Sequence, residues 1–279
     1  MTTLAIAVAR RSKERAAKLG PVSATAAIFV IMLLVCAVCA PLLTPYDPLG
    51  ISNDILVQPS PLHWLGTDGL GRDVLTGIIF GSRISLTVGL SAAAAATVIG
   101  TVVGAYAGFR GGILDNVIMR VAEIFQVFPA MILAALIIAL TGAGLSNVVI
   151  VIVLLAWPQT ARLARNEAMR LKEMDFVYAA RCLGHRRAAV LLREIVPNLL
   201  APVIALGTLI VGEAILLEAA LSFLGLSAQG DVSWGRMLNE GWQVIFTAWW
   251  LSVFPGIAIF LTVVSMNLLG DAFSRRREG

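Results

Sequence analysis

The sequence predicts an all-α integral membrane protein with six transmembrane helices and both termini on the cytoplasmic side, and three observations carry that expectation. Of its 279 residues, 58% are hydrophobic and only 14% are charged, far from the roughly 45–50% apolar and about 25% charged of soluble domains. The apolar residues fall in unbroken runs of about 20, the length a helix needs to cross a hydrocarbon core roughly 30 Å thick. The basic residues are also sorted by side. With the amino terminus inside, all 21 except Arg72, Arg83 and Arg236 fall in cytoplasmic segments, the bias that orients membrane proteins. The net charge of +4 therefore reports orientation in a lipid bilayer, and no nucleic-acid partner is expected.

Residues 1–23 read as a cytoplasmic tail carrying Arg10, Arg11, Lys13, Arg15 and Lys18, followed by a first span over 24–44. The apolar run from Ala24 to Leu43 is longer than the 7–15 residues of a signal-peptide core, which predicts a retained helix. Cys36 and Cys39 lie inside it as small apolar side chains. With Cys182 on the reducing side, they form no disulfide framework. Residues 45–83 read as an extracytoplasmic loop, irregular where Pro45, Pro48, Pro59 and Pro61 occur. From Asp73 the near-helical spacing of Val74, Leu75, Ile78 and Ile79 predicts an interfacial helix. A core of five further helices occupies 84–272. Its spans run from Ile84 to Tyr106, Val117 to Leu140, Val148 to just beyond Trp157, Leu199 to Leu224 and Val244 to Leu269. Residues 273–279, with Arg275 to Arg277, form a cytoplasmic tail. Pro129, Pro158, Pro202 and Pro255 fall within or at the ends of spans, where each removes a backbone donor and permits a bend.

Within these spans, Gly100, Gly104 and Gly108 recur every four residues and put three missing side chains on one helix face, the pattern that lets membrane helices approach closely. Glu123, Glu213 and Glu218 are ionisable groups at or near membrane depth, with Asn267 as a neutral polar companion. Such residues face protein or water. Both a pathway role and a structural role are open for all four, the structural one favoured for the three glutamates. Asp115 and Asp271, at span ends, are expected to be solvated.

The connection between spans four and five, residues 162–197, is too long for a tight helix turn and holds eight of the basic residues. Asp175 can cap a short helix through Phe176, Val177, Ala179 and Ala180, Gly184 can end it, and a second helix can run to Pro197. On that second helix Ala189, Leu192 and Val196 share one face. A helical hairpin of this kind, with a small-residue patch, is suited to docking another protein.

Tyr178-Ala179-Ala180, Gly184 and Pro197 with Asn198 resemble the EAA loop of permease subunits in bacterial ABC importers, with tyrosine where that family often has glutamate. Nearly the whole chain is similar to the peptide and nickel permease branch of that family. The similarity is carried by His63-Trp64-Leu65-Gly66-Thr67-Asp68 with Leu70-Gly71-Arg72-Asp73, by Phe128-Pro129, by Glu218 through Leu226, and by Asn267 through Asp271. The resemblance implies a type I ABC importer permease (MetI-like) fold in the bacterial inner membrane, as one of two non-identical permease halves. It implies as partners a second homologous permease, two ATP-binding subunits that carry ATP and Mg, and an extracytoplasmic substrate-binding protein. It also assigns coupling to the ATP-binding subunits to Asp175, Tyr178, Ala179, Ala180, Gly184 and Pro197.

The residues themselves carry no motor and no catalytic set. None of Lys13, Lys18 and Lys172 follows a glycine, so no phosphate loop is present. His63 and His185 are expected on opposite sides of the membrane and share no metal. No enzyme activity, cofactor or metal is expected of this chain. Peptide uptake is the favoured reading, with a nickel or metal-chelate importer as the alternative. A stand-alone secondary transporter or channel is the alternative of another class, although no inverted repeat relates the two halves.

Overall fold

The computed structural model describes residues 21–226, 230 and 232–278, with the side chains of 21–226, 230 and 232–274. The tail arginines and lysines at 10–18 and the side chains of Arg275 to Arg277, on which part of the expected orientation rests, lie outside the described residues. Among the described residues ten helices follow in chain order. They are α1 (Pro21–Val38), the single turn α2 (Ala40–Leu43), α3 (Val74–Arg110), α4 (Gly112–Val127) and α5 (Ala130–Thr141). Then come α6 (Leu145–Leu171), α7 (Asp175–Cys182), α8 (Arg187–Phe223), α9 (Trp234–Trp242) and α10 (Trp250–Glu278). Among the described residues no strand is present, only an isolated bridge between Thr67 and Asp73.

Five of these helices are long and apolar enough to cross a membrane, and six crossings result if α4 and α5 count as one. The expected third span is therefore not one helix. It is bent by 89° at Phe128–Pro129, because a proline ring forces the preceding residue out of the helical region, and Phe128 is extended at φ −90, ψ 143. Nor is the interfacial helix expected before span two a separate element. Asp73 accepts from the Thr76 N–H at 2.8 Å, and the helix it caps runs unbroken for 37 residues, ~55 Å at 1.5 Å per residue. Span four likewise continues past Pro158 and Arg162 to Leu171, so only residues 172–186 of the expected 162–197 loop connect helices. The sixth span starts at Trp250, not Val244, because residues 243–249 form turns after α9.

The most extensive helix–helix packing is between α3 and α6, and its cause is the glycine stripe. A Cβ at Gly100 would lie 2.7 Å from the Trp157 carbonyl oxygen, and at Gly104 and Gly108 it would overlap the backbone of Ala161 and Arg165. Three absent side chains thus bring two helices to backbone contact. α8 packs against α3, α6 and α10, while α1 rests mainly on α3 and α10.

At one end of this bundle the signature loop is pinned rather than loose. The Asp68 carboxylate accepts from the Leu70 and Arg72 N–H groups and pairs with the Arg72 guanidinium. Arg72 also reaches Glu240 of α9. Buried His63 lies 3.0 Å through Nδ1 from Asp73, and the Trp250 indole donates to Thr67. Glu218, 2% exposed, accepts from Ser85 on α3 at 3.1 Å and from Ser222 at 2.6 Å. That carboxylate is a structural tie between α3 and α8, satisfied as a buried polar group must be.

Candidate functional site

At the other end stands the hairpin. α7 opens with Met174 at the N-cap position and Asp175 as its first helical residue, with no side-chain cap bond, which corrects the expected Asp175 cap. The carboxylate sits in the first turn, where it favours the helix dipole. Gly184 closes the helix at φ +81. The Gly184 N–H bonds to the Arg181 carbonyl and the His185 N–H to that of Ala180, a pairing that needs a residue free to adopt the left-handed conformation.

The second helix does not stop at Pro197 as expected but runs through it as the first part of α8. Leu191–Ile195 forms a π turn in which the Val196 N–H reaches back to the Leu191 carbonyl. That wider turn accommodates a proline whose ring would otherwise press on the carbonyl four residues earlier. It also shifts the buried face. Val190, Ile195 and Leu199 point inward, whereas Leu192, expected on a shared face with Ala189 and Val196, is 64% exposed.

Val177 and Ala180 of α7 join Val190, Ile195 and Leu199 of α8, Ala105 of α3, and Ala164, Ala168 and Leu171 of α6 in a single apolar cluster. The short helix therefore shares one apolar cluster with three long ones, and its closest packing is against the start of α8. Its outward side leaves Phe176, Tyr178, Ala179 and Leu183 exposed. The Tyr178 hydroxyl donates to Glu173 at 2.8 Å, which holds the phenol above its ordinary pKa. Arg181 lies over both the Tyr178 and Phe109 rings. Pro197 is also exposed.

An ion pair absent from the sequence reading braces the neighbouring helix ends. Asp115, expected to be solvated, is 5% exposed and accepts two bonds of 2.6 Å from the Arg165 guanidinium, fixing α4 to α6. Lys172 adds a bond to the Gly108 carbonyl. Removing one member strands the other, at a cost of about 3–5 kcal/mol for a fully buried pair and less here, where Arg165 is 26% exposed. Asp115→Asn should lower the melting temperature measurably, and Asp115→Asn with Arg165→Gln should recover part of the loss. A double variant no better than the single one would refute the pairing.

The remaining polar candidates separate. Glu123 is exposed and paired with Arg120 one turn away at 2.8 Å. Asn267 is exposed on α10 beside Gly212 of α8. Glu213 is exposed on α8 and lines an open groove of about 390 Å3 between α5, α6 and α8, with Gln159 of α6 on the same groove. His63 and His185 sit at opposite ends of α3, the first beside its cap Asp73 and the second in the hairpin.

Residues 100–279 match the family model described as binding-protein-dependent transport system inner membrane component. The glutathione transport system permease protein GsiD of Escherichia coli O6:K15:H31 (strain 536 / UPEC) is 40% identical over 250 residues, covering 88% of this chain and 82% of that protein. Its counterpart in Shigella flexneri serotype 5b (strain 8401) is 41% identical over the same shares. Two crystal forms of the inward facing MetNI methionine ABC transporter resemble the fold with TM-scores of 0.57 and 0.55. They are 19% identical and cover 76% and 71% of this chain and 95% and 96% of theirs.

Proposed function

Because the chain belongs to the family of binding-protein-dependent transport system inner membrane components, an ABC importer permease of the inner membrane, we propose that it forms half of a translocation pathway for peptides. The observation that carries the coupling part of this reading is that α7 packs on the start of α8 and shares one apolar cluster with α3 and α6. A force applied to that helix reaches every long helix it touches. In this reading the hairpin and both termini face the cytoplasm, six crossings result with α4 and α5 counted as one, and the exposed side of α7 docks one of two ATP-binding subunits. Their ATP-driven closure would switch the pathway between outward and inward access. The other half is a second, non-identical permease, and an extracytoplasmic binding protein delivers the solute. A peptide-class substrate is supported by the 40% identity to a glutathione permease.

The test is uptake by proteoliposomes holding the full complex and its binding protein. Labelled tripeptides and dipeptides should accumulate when ATP is inside and the binding protein outside, and nickel should not. Nickel uptake without peptide uptake would overturn the substrate class, and uptake by this chain alone under an ion gradient would overturn the coupling.

A further inference from the structure

We propose that Gln159 and Glu213 form a binding point within the pathway for the free α-ammonium group of a peptide, an inference that rests on the peptide reading above. Three observations converge on it. The cavity they share, about 390 Å3, falls in the range of roughly 300–1,000 Å3 typical of small-molecule sites, which join apolar walls to a few polar anchors. Its walls fit that description. Besides these two residues every lining group is apolar, among them Met131, Ile152, Leu155, Ile210 and Leu217. Glu213 is thus the cavity's one charge, set on the membrane-spanning helix α8, where a carboxylate is costly unless it meets water, protein or a counter-charge. A solute cation supplies that counter-charge, and a carboxylate with an adjacent amide carbonyl accepts the three N–H bonds of an ammonium group.

The third observation is placement. Gln159 sits on α6 and Glu213 on α8, and these are the two helices that the hairpin joins, α6 ending at Leu171 and α8 starting at Arg187. Both side chains line the same groove from facing helices. A hairpin movement that shifts α6 against α8 brings the two polar groups together around the ammonium, and the reverse movement parts them and releases the solute. The remaining wall, Ala130 and Met131 at the start of α5, follows directly on the Phe128–Pro129 bend, so the cavity also widens or narrows with that hinge.

The experiment compares the wild-type complex with Glu213→Gln and Glu213→Asp complexes, using a tripeptide and its N-acetylated form. The binding protein's own preference is common to all three, so the ratio of wild-type to variant uptake isolates the membrane step. Glu213→Gln should cut tripeptide uptake about tenfold or more, as expected for losing one charge-assisted hydrogen bond. It should leave N-acetylated uptake within about twofold and complex assembly intact. Glu213→Asp should restore most of the tripeptide uptake. Equal loss for both peptides, no loss for either, or dissociation of the Glu213→Gln complex into subunits would overturn the site, the last by making Glu213 a contact between permease halves. A wild-type complex that transports no peptide would instead overturn the substrate reading and this site with it.

Discussion

Replacing Gly104 with leucine should leave no monodisperse chain when detergent extracts are run on fluorescence-detected size exclusion. Overpacking usually costs about 1–3 kcal/mol because neighbouring side chains give way. At Gly104 the obstacle is the backbone of Ala161, which yields only if α3 and α6 separate along the most extensive helix contact in the molecule. A cost at or above the top of that range consumes much of a typical stability of about 5–15 kcal/mol. Gly256→Ala on α10 is the matched control. A Cβ there meets nothing within 4 Å, so helix propensity alone acts and the variant should be unchanged or slightly more stable. A Gly104→Leu chain that runs and melts like the wild type would remove the glycine stripe from this account.

Val177→Asp should separate the hairpin from the bundle without unfolding the bundle. Val177 is fully buried at the base of α7, and an unpaired charge placed there costs several kcal/mol, more than a two-turn helix recovers from its few remaining contacts. The chain should still insert and assemble its long helices. Peptide uptake by the complex should fall to background, while any residual ATP hydrolysis should no longer respond to the loaded binding protein. Retained, stimulated uptake would show that force reaches the pathway by another route.

What the sequence made legible follows from which signals are local. Long apolar runs, the every-fourth-residue glycines and the Gly184 helix stop are each read within a few turns of chain, and the helices built on them are present. The bend at Phe128–Pro129 was not legible because α4 and α5 are apolar on both sides of the break, so hydropathy continues where the backbone turns by 89°. The early start assigned to the sixth span has a similar cause, since Val244, Ile245 and Phe246 are apolar yet form turns. α9 could have been found. Ser233 accepts from the Arg236 N–H as a cap, and Trp234, Met237, Leu238 and Gly241 follow at helical spacing. The Asp115–Arg165 pair joins residues 50 positions apart, and the Gln159–Glu213 pair lies across two helices. No periodicity in one sequence marks either. The π turn hid the true buried face of the hairpin's second helix, because one extra residue in a turn rotates every face after it.

The claim on which the coupling rests is that the outward side of α7 meets an ATP-binding subunit. The most direct measurement places a short photo-crosslinker on Ala179→Cys, with Cys182→Ser removing the exposed native thiol one turn away, in the complex assembled with its partner subunits. The account predicts a covalent product between this chain and an ATP-binding subunit. A product with the extracytoplasmic binding protein, or none with either ATP-binding subunit, would contradict it.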